Sequence, residues 1–249
     1  MCFDYDSLPP VPVIAGAAVS HDELALEAAD GNRLAAFAAA PEEQATAGIV
    51  ILPDVRGLYR FYDELALRFA ERGYAAVAID YYGRTAGVAK RDADFPFMDH
   101  LEQTRPATIQ ADVGAGVVYL REQDCSSIFT VGFCMGGRHS WLAAAAGHGL
   151  AGAIGFYGMP ASRVDRPGPT ALAPQMTAPI LALQAGRDHH ISAEDNAAFE
   201  EALTAAGVEH EVVTFEDSPH SFFDRTYEKH AAASADAWSR VLDFIERYT

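Results

Sequence analysis

The stretch Gly132-Phe133-Cys134-Met135-Gly136-Gly137 restricts the fold of this chain more than any other segment. A β-branched and aromatic run, Ile128 to Val131, precedes it, and a helix-compatible stretch, Trp141 to Ala146, follows. A strand that turns at once into a helix leaves little room beside the turning residue. Glycines at 132, 136 and 137 remove the side chains that would collide there. The spacing is that of a G-x-S-x-G elbow with sulfur in place of the serine oxygen. Cys134 is therefore expected at the tip of the turn, under the positive end of the next helix, where free backbone N–H groups and the helix dipole stabilise a thiolate. The competing reading makes Cys134 a small buried hydrophobe, a common role for a free cysteine.

A chain of 249 residues is long enough for one large α/β domain with a full core. Half of it is apolar, and no apolar run approaches the length of a membrane span. The start, Met1 to Pro10, carries Asp4 and Asp6 and no Lys or Arg, so no export signal is expected. Cys2, Cys125 and Cys134 are an odd number at unrelated spacings, which fits neither a disulfide framework nor a zinc site and points to the cytoplasm. With 35 acidic against 18 basic side chains the formal charge is −17, which repels phosphate backbones and argues against nucleic acid and anionic membrane as partners. A small anionic substrate stays compatible if a few arginines gather in a cleft.

Residues 1 to 20, with Pro9, Pro10 and Pro12, read as an irregular arm. Glu23 to Ala28 and Arg33 to Ala39 form an expected hairpin around Asp30-Gly31-Asn32. Ala47 to Leu52 and Ala75 to Ile79 suit strands covered on both faces. Between them, Tyr62, Leu65, Phe69 and Ala70 recur at helical spacing up to Gly73. Residues 83 to 105 have no clear period and read as a long excursion near a site, and a helix follows from about Pro106 to Gln123. Further on, Leu150 to Tyr157, Ile180 to Gln184 and Glu211 to Phe215 read as strands. Arg163 to Met176 reads as loop, and Ala193 to Ala206 and Tyr227 to Tyr248 as helices. Apolar strands alternating with helices predict one α/β domain with a mainly parallel sheet and helices on both faces. Ligands of such sheets bind beyond the carboxyl ends of the strands, where the elbow, Asp54, Asp80, Asp188 and the loop after Phe215 all fall.

Acyl transfer needs a nucleophile, a base within reach and a group that orients the base. Cys134, Asp188 and His220 occur in the order nucleophile, acid, histidine, each in a loop just after a predicted strand. Asp188 could equally cap a helix, and His220 could lie on the surface, but its place between the last strand and the last helix favours a base. His189 and His190 could replace His220 only by breaking that order. His139, on the elbow helix, reads as a packed or surface residue. No H-E-x-x-H pattern or Cys/His cluster supports a metal.

Taken together, Gly132 to Gly137, Gly186-Arg187-Asp188 and His220-Ser221-Phe222 resemble the dienelactone hydrolase (carboxymethylenebutenolidase-like) family. The resemblance implies a single-domain α/β-hydrolase with a sheet of about seven or eight strands, a Cys134-His220-Asp188 triad and no cofactor. It also implies a small-molecule ester or lactone, which can be anionic, as substrate, in a monomer or small homo-oligomer. Pro53 to Leu58 resembles the family segment that carries a glutamate near the thiol, a position held here by the shorter Asp54. Asp80-Tyr81-Tyr82-Gly83-Arg84 resembles the segment whose arginine binds the substrate carboxylate, which assigns that role to Arg84, with Arg138 as a weaker candidate. The family's second arginine position is Asp224 here, with Arg225 one place further on. The backbone N–H groups of Met135 and Val55 are expected to bind the oxyanion. The rival expectations are a ligand-binding or thiol-sensing protein on the same scaffold and an esterase of broad range.

Overall fold

The alternating strands and helices form one α/β sandwich in the computed structural model, which describes residues 3–163 and 166–249. Cys2 and positions 164 and 165 of the expected loop lie outside the described residues. Eight strands form a single sheet: β1 (Val19–Glu27), β2 (Arg33–Pro41), β3 (Gly48–Leu52), β4 (Ala75–Ile79), β5 (Ile128–Phe133), β6 (Gly152–Phe156), β7 (Ile180–Ala185) and β8 (His210–Phe215). Their spatial order is β1-β2-β4-β3-β5-β6-β7-β8. The β1–β2 and β2–β4 pairs are antiparallel and all the others are parallel. The expected hairpin is β1–β2, closed at Asp30-Gly31-Asn32 by hydrogen bonds from Ala28 N to Asn32 O and from Gly31 N to Ala28 O, both 2.8 Å.

Strand periodicity of two divides the core. Ile49, Ile51, Phe129, Val131, Ile154, Leu181 and Leu183 face one side, against α1 (Arg60–Ala70) and α8 (Ala231–Tyr248). Val50, Leu52, Val77 and Ile79 face the other side, against Ile109, Val113 and Leu120 of α4 (Pro106–Glu122). On that side Ile180 and Ala182 pack with Trp141 of α5 (Met135–Ala143) and with Phe199 and Leu203 of α7 (Ala193–Ala206). Helices therefore cover both faces, and the central strands are wholly buried.

Three expectations need correction. The arm does not stay irregular to residue 20, because β1 begins at Val19; before it, Phe3 and Val11 are buried in the core. The excursion at 83–105 contains two short helices, α2 (Gly83–Ala86) and α3 (Phe97–Leu101), each about one turn and so too short to show a period. Within 163–176 lie a one-turn helix, α6 (Pro169–Leu172), and a 3-10 turn, Ala173–Gln175, both started by prolines that suit a first helical turn.

Candidate active site

The elbow forms where β5 runs into α5, and Cys134 occupies the bend with φ 56° and ψ −113°, a conformation that L residues rarely adopt. The glycines are required by close approach. A Cβ on Gly132 would lie 2.0 Å from the Gly136 carbonyl oxygen, and one on Gly136 would lie 2.1 Å from that of Leu52. The bend is fixed by Cys134 N donating to Phe156 O at 3.0 Å and by Arg138 N donating to Cys134 O at 3.2 Å. Buried Trp141 anchors α5 to the sheet through Nε1, which donates to Leu181 O at 3.2 Å. Strain of this kind persists only when its surroundings over-determine it.

Asp188 and His220 follow β7 and β8, which are adjacent in the sheet. Arg187 N donates to Ser218 O at 2.9 Å and ties the two loops together. His220 Nδ1 donates to Asp188 Oδ2 at 2.6 Å, and the two side chains are 10 % and 1 % exposed. This fixes the neutral ring as the tautomer with Nε2 as the acceptor. Burial alone would raise the Asp188 carboxyl, but the hydrogen bond and charge of His220 and the amides of His190 and Ile191 outweigh it, so its pKa is lowered. His220 is packed from below by Tyr157, with ring centroids 4.9 Å apart, and the next residues, Phe222 and Phe223, are fully buried. Tyr157, at φ 37°, and Ser221, at φ 62°, add two further strained positions beside the histidine.

Cys134 and His220 both line a cavity of about 590 Å³. So do Val55 and Met135, whose N–H groups donate to no protein acceptor among the described residues. The Val55 segment is held by a buried carboxylate. Asp80 accepts from Leu58 N at 3.1 Å, Tyr82 N at 2.7 Å and Arg91 Nη2 at 2.7 Å, while Tyr82 hydroxyl donates to Val55 O. Asp54 is buried beneath it and accepts from Arg56 N at 2.8 Å and from the Tyr59 hydroxyl at 3.0 Å. The Tyr81 phenol is pushed well up, chiefly by burial and then by the charges of Tyr82, Asp54, Asp80 and Cys134. The Asp54 carboxylate and the sulfur are thus both within electrostatic reach of that hydroxyl.

The expected substrate arginines are placed differently. Arg84 donates to Asp112 Oδ2 and to Asp30 Oδ2, both at 2.6 Å, and is not among the described residues lining the cavity. Its charge is taken up by two carboxylates, and it ties the β1–β2 turn to α4. Arg225 turns away too, with N donating to Leu8 O at 2.9 Å and Nη2 to Pro9 O at 3.4 Å. Asp224 is buried and accepts from Ser7 Oγ at 2.5 Å. Arg138 lines the cavity but is 7 % exposed, and it donates to the carbonyls of Met159 (2.9 Å), Ala161 (2.6 Å) and Pro167 (3.1 Å). It reaches the cavity wall while supporting the loop after β6.

Other cavity residues carried weaker signals in the sequence. Leu101, Glu102 and Thr104 come from the long excursion, in keeping with its reading as a site loop. Tyr157 stands at the carboxyl end of β6, where the rule for open sheets would have pointed. His190 lines the cavity, while His189 is exposed. His139 is packed, at 5 % exposure.

An eight-stranded, mainly parallel sheet with an elbow after β5 and an acid–histidine pair after β7 and β8 defines an α/β-hydrolase. The sequence profile of the dienelactone hydrolase family matches residues 34–249, and the chain belongs to that family. It is accordingly a hydrolase of the ester or lactone type. The carboxymethylenebutenolidase of Rhodococcus opacus is 28% identical over 267 residues, spanning 100% of this chain and 97% of the relative. That of Pseudomonas putida is 29% identical over 230 residues, covering 89% of this chain and 94% of the relative. Among solved structures, a candidate dienelactone hydrolase from Klebsiella pneumoniae subsp. pneumoniae MGH 78578 superposes with a TM-score of 0.83 at 24% identity, covering 93% of this chain and 100% of that one.

Proposed function

We propose that this protein hydrolyses a small ester or lactone through Cys134, His220 and Asp188, without a cofactor. The supporting observation is the 2.6 Å hydrogen bond from His220 Nδ1 to Asp188, made on the wall of the same cavity into which the bend at Cys134 opens. His220 Nε2 takes the thiol proton, and the sulfur attacks the carbonyl carbon. The carbonyl oxygen becomes an oxyanion held by the N–H groups of Met135 and Val55, of which each is worth about 3 kcal/mol in such sites. Collapse breaks the bond to the alkoxide, which leaves with the proton from His220 and forms a thioester on Cys134. Water then gives a proton to His220 and attacks the thioester, and the acid is released as the thiol is restored. Asp188 keeps the imidazole in the required tautomer throughout.

Asp54 takes the place of the thiol-neighbouring acid in this reading, buried with the Tyr59 hydroxyl on its Oδ2 at 3.0 Å. The cavity's size and the charge of −17 suit a small molecule in the cytoplasm rather than nucleic acid or a membrane surface. No helix among the described residues is long and apolar enough to cross a membrane.

The test is hydrolysis of p-nitrophenyl acetate and of a dienelactone by wild type and Cys134→Ala, followed by mass spectrometry. Turnover is expected in wild type and lost in the variant, with a transient adduct on Cys134. Equal rates would discard Cys134 as nucleophile, and a persistent adduct without released product would make the protein a binder or thiol sensor.

A further inference from the structure

Phe3 lies outside the stretch that the family profile matches, which begins at residue 34, yet its ring sits among the supports of the candidate site. It is 1 % exposed and stacks on Phe61 of α1, with ring centroids 4.0 Å apart. The same ring lies 6.0 Å from Phe133 and, edge-on, 6.3 Å from Tyr157. Phe133 is the last residue of β5 before the bend at Cys134, and Tyr157 is the ring packed against His220. Tyr62, whose hydroxyl accepts from Asp54 N at 2.8 Å, is 6.5 Å away on a third side. One side chain therefore touches the rings behind the sulfur, the imidazole and the Asp54 segment. Contacts of this kind fix the orientation of a ring as well as its position.

The residues that follow hold Phe3 in place. Tyr5 stacks on Tyr59 at 5.1 Å, and its hydroxyl donates to Arg91 O. Ser7 Oγ donates to buried Asp224 at 2.5 Å. Leu8 O and Pro9 O accept from Arg225 N and Nη2, so the arm is tied to the loop that carries His220. Val11 is buried in the core. The positions on the far side of Phe3 need such support. Tyr157 has φ 37°, and Cys134, which follows Phe133, has φ 56°. Conformations like these persist only while their surroundings impose them. Truncating Phe3 leaves a void of side-chain size, and neighbours relax partly into such a void. Movement of Tyr157 withdraws the ring behind His220, and movement of Phe133 displaces the sulfur. A close-packed interior passes the shift on rather than absorbing it.

We propose that Phe3 is a positioning residue of the candidate site: wedged between Phe133 and Tyr157, it keeps the His220 imidazole aligned with the Cys134 sulfur. It does not line the cavity and so acts through these two rings alone. Its effect on turnover rests on the hydrolysis proposed for Cys134; its support of His220 through Tyr157 does not.

The test makes the same two substitutions at two buried phenylalanines, Phe3→Ala and Phe3→Leu against Phe244→Ala and Phe244→Leu. Phe244 is 3 % exposed and packs on Phe129, at the start of β5 rather than at its elbow end, so its truncation costs stability away from the site. With p-nitrophenyl acetate, Phe3→Ala is expected to lower kcat by about tenfold or more and to leave KM within about threefold, because a misaligned base slows the chemistry rather than the binding. Phe3→Leu, which refills part of the void, is expected to lie between Phe3→Ala and wild type, and both Phe244 variants to keep the wild-type kcat. A second readout needs no turnover. The Cε1–H proton resonance of His220, assigned by its loss in His220→Gln, feels the ring current of Tyr157. It is expected to shift in the Phe3 variants and to hold its place in the Phe244 variants. Equal losses of kcat at the two positions, a wild-type kcat in the Phe3 variants, or an unmoved resonance overturns the positioning role. If Phe3→Ala does not fold, the two leucine variants decide by the same criteria. If wild type hydrolyses neither p-nitrophenyl acetate nor a dienelactone, the hydrolytic reading fails, and the resonance alone upholds or overturns the support of His220.

Discussion

Replacing Gly132 by alanine tests whether the bend at Cys134 depends on backbone contact. The added Cβ would sit 2.0 Å from the Gly136 oxygen, 2.3 Å from its carbonyl carbon and 2.7 Å from Gly137 N, whereas real Cβ contacts essentially never fall below 3.0 Å. The obstacles are all backbone, so no side chain can rotate away, and β5 and α5 must separate by about 1 Å at the elbow, the difference between 3.0 and 2.0 Å. Overpacking of this kind costs about 3 kcal/mol. For a chain of this size that lowers Tm by roughly 6–12 °C. With Cys134 as the proposed nucleophile, a displacement of that size there costs on the order of 10²-fold in turnover. Gly73→Ala is the comparison: its φ of +87° is strained for alanine but nothing lies within 4 Å, so the cost is about 1 kcal/mol and falls on stability alone. The assays are thermal unfolding by circular dichroism and p-nitrophenyl acetate hydrolysis at a temperature where both variants are folded. If Gly132→Ala melts within about 2 °C of wild type and keeps its rate to within about threefold, close backbone contact does not hold the elbow.

Asp188→Asn is expected to lower kcat by on the order of 10⁴-fold by losing the tautomer of His220, with little change in KM; a loss below about tenfold would remove Asp188 from the triad. The folded-state pKa of Asp188 lies below the unfolded value of about 3.9, so its stabilisation is complete above that value and disappears as pH falls through the folded one. Urea melts of wild type and Asp188→Asn should therefore differ at neutral pH and converge below about pH 4, and a constant gap would contradict the linkage. Asp80→Ala leaves Arg91 buried and unpaired, frees the Leu58 and Tyr82 amides and should cost about 3–5 kcal/mol by chemical denaturation. Arg138→Met leaves three carbonyls without their donor; it should cost about 2–3 kcal/mol and speed hydrogen exchange between residues 159 and 167, and unchanged exchange there would deny that support.

Much of this was legible because the sheet interior demands a simple code. Ile49 and Ile51 face one layer while Val50 and Leu52 face the other, so a five-residue strand buried on both sides must be apolar throughout. The elbow was legible because close approach admits only glycine at 132 and 136. Partners remote in sequence were not. Nothing near Arg84 announces that Asp112, on the far side of a long loop and part of a helix, will reach it. The same holds for Arg138, whose acceptors are backbone carbonyls and so independent of residue type. That Arg163 and Arg166 line the cavity was not legible either, because a proline-rich tract reads as solvent loop whether or not it roofs a cavity.

The placement of Cys134, Asp188 and His220 on three separate strand ends has a consequence for the chain during synthesis. Residue 220 is made 86 positions after residue 134 (220 − 134), and it meets Asp188 only once β7 and β8 have joined the sheet. Until then Cys134 has neither His220 nor the loop after β6 beside it. On the proposed chemistry, reactivity therefore arrives last, as a product of completed folding, and a ribosome-bound fragment that lacks residue 220 has no base for its sulfur.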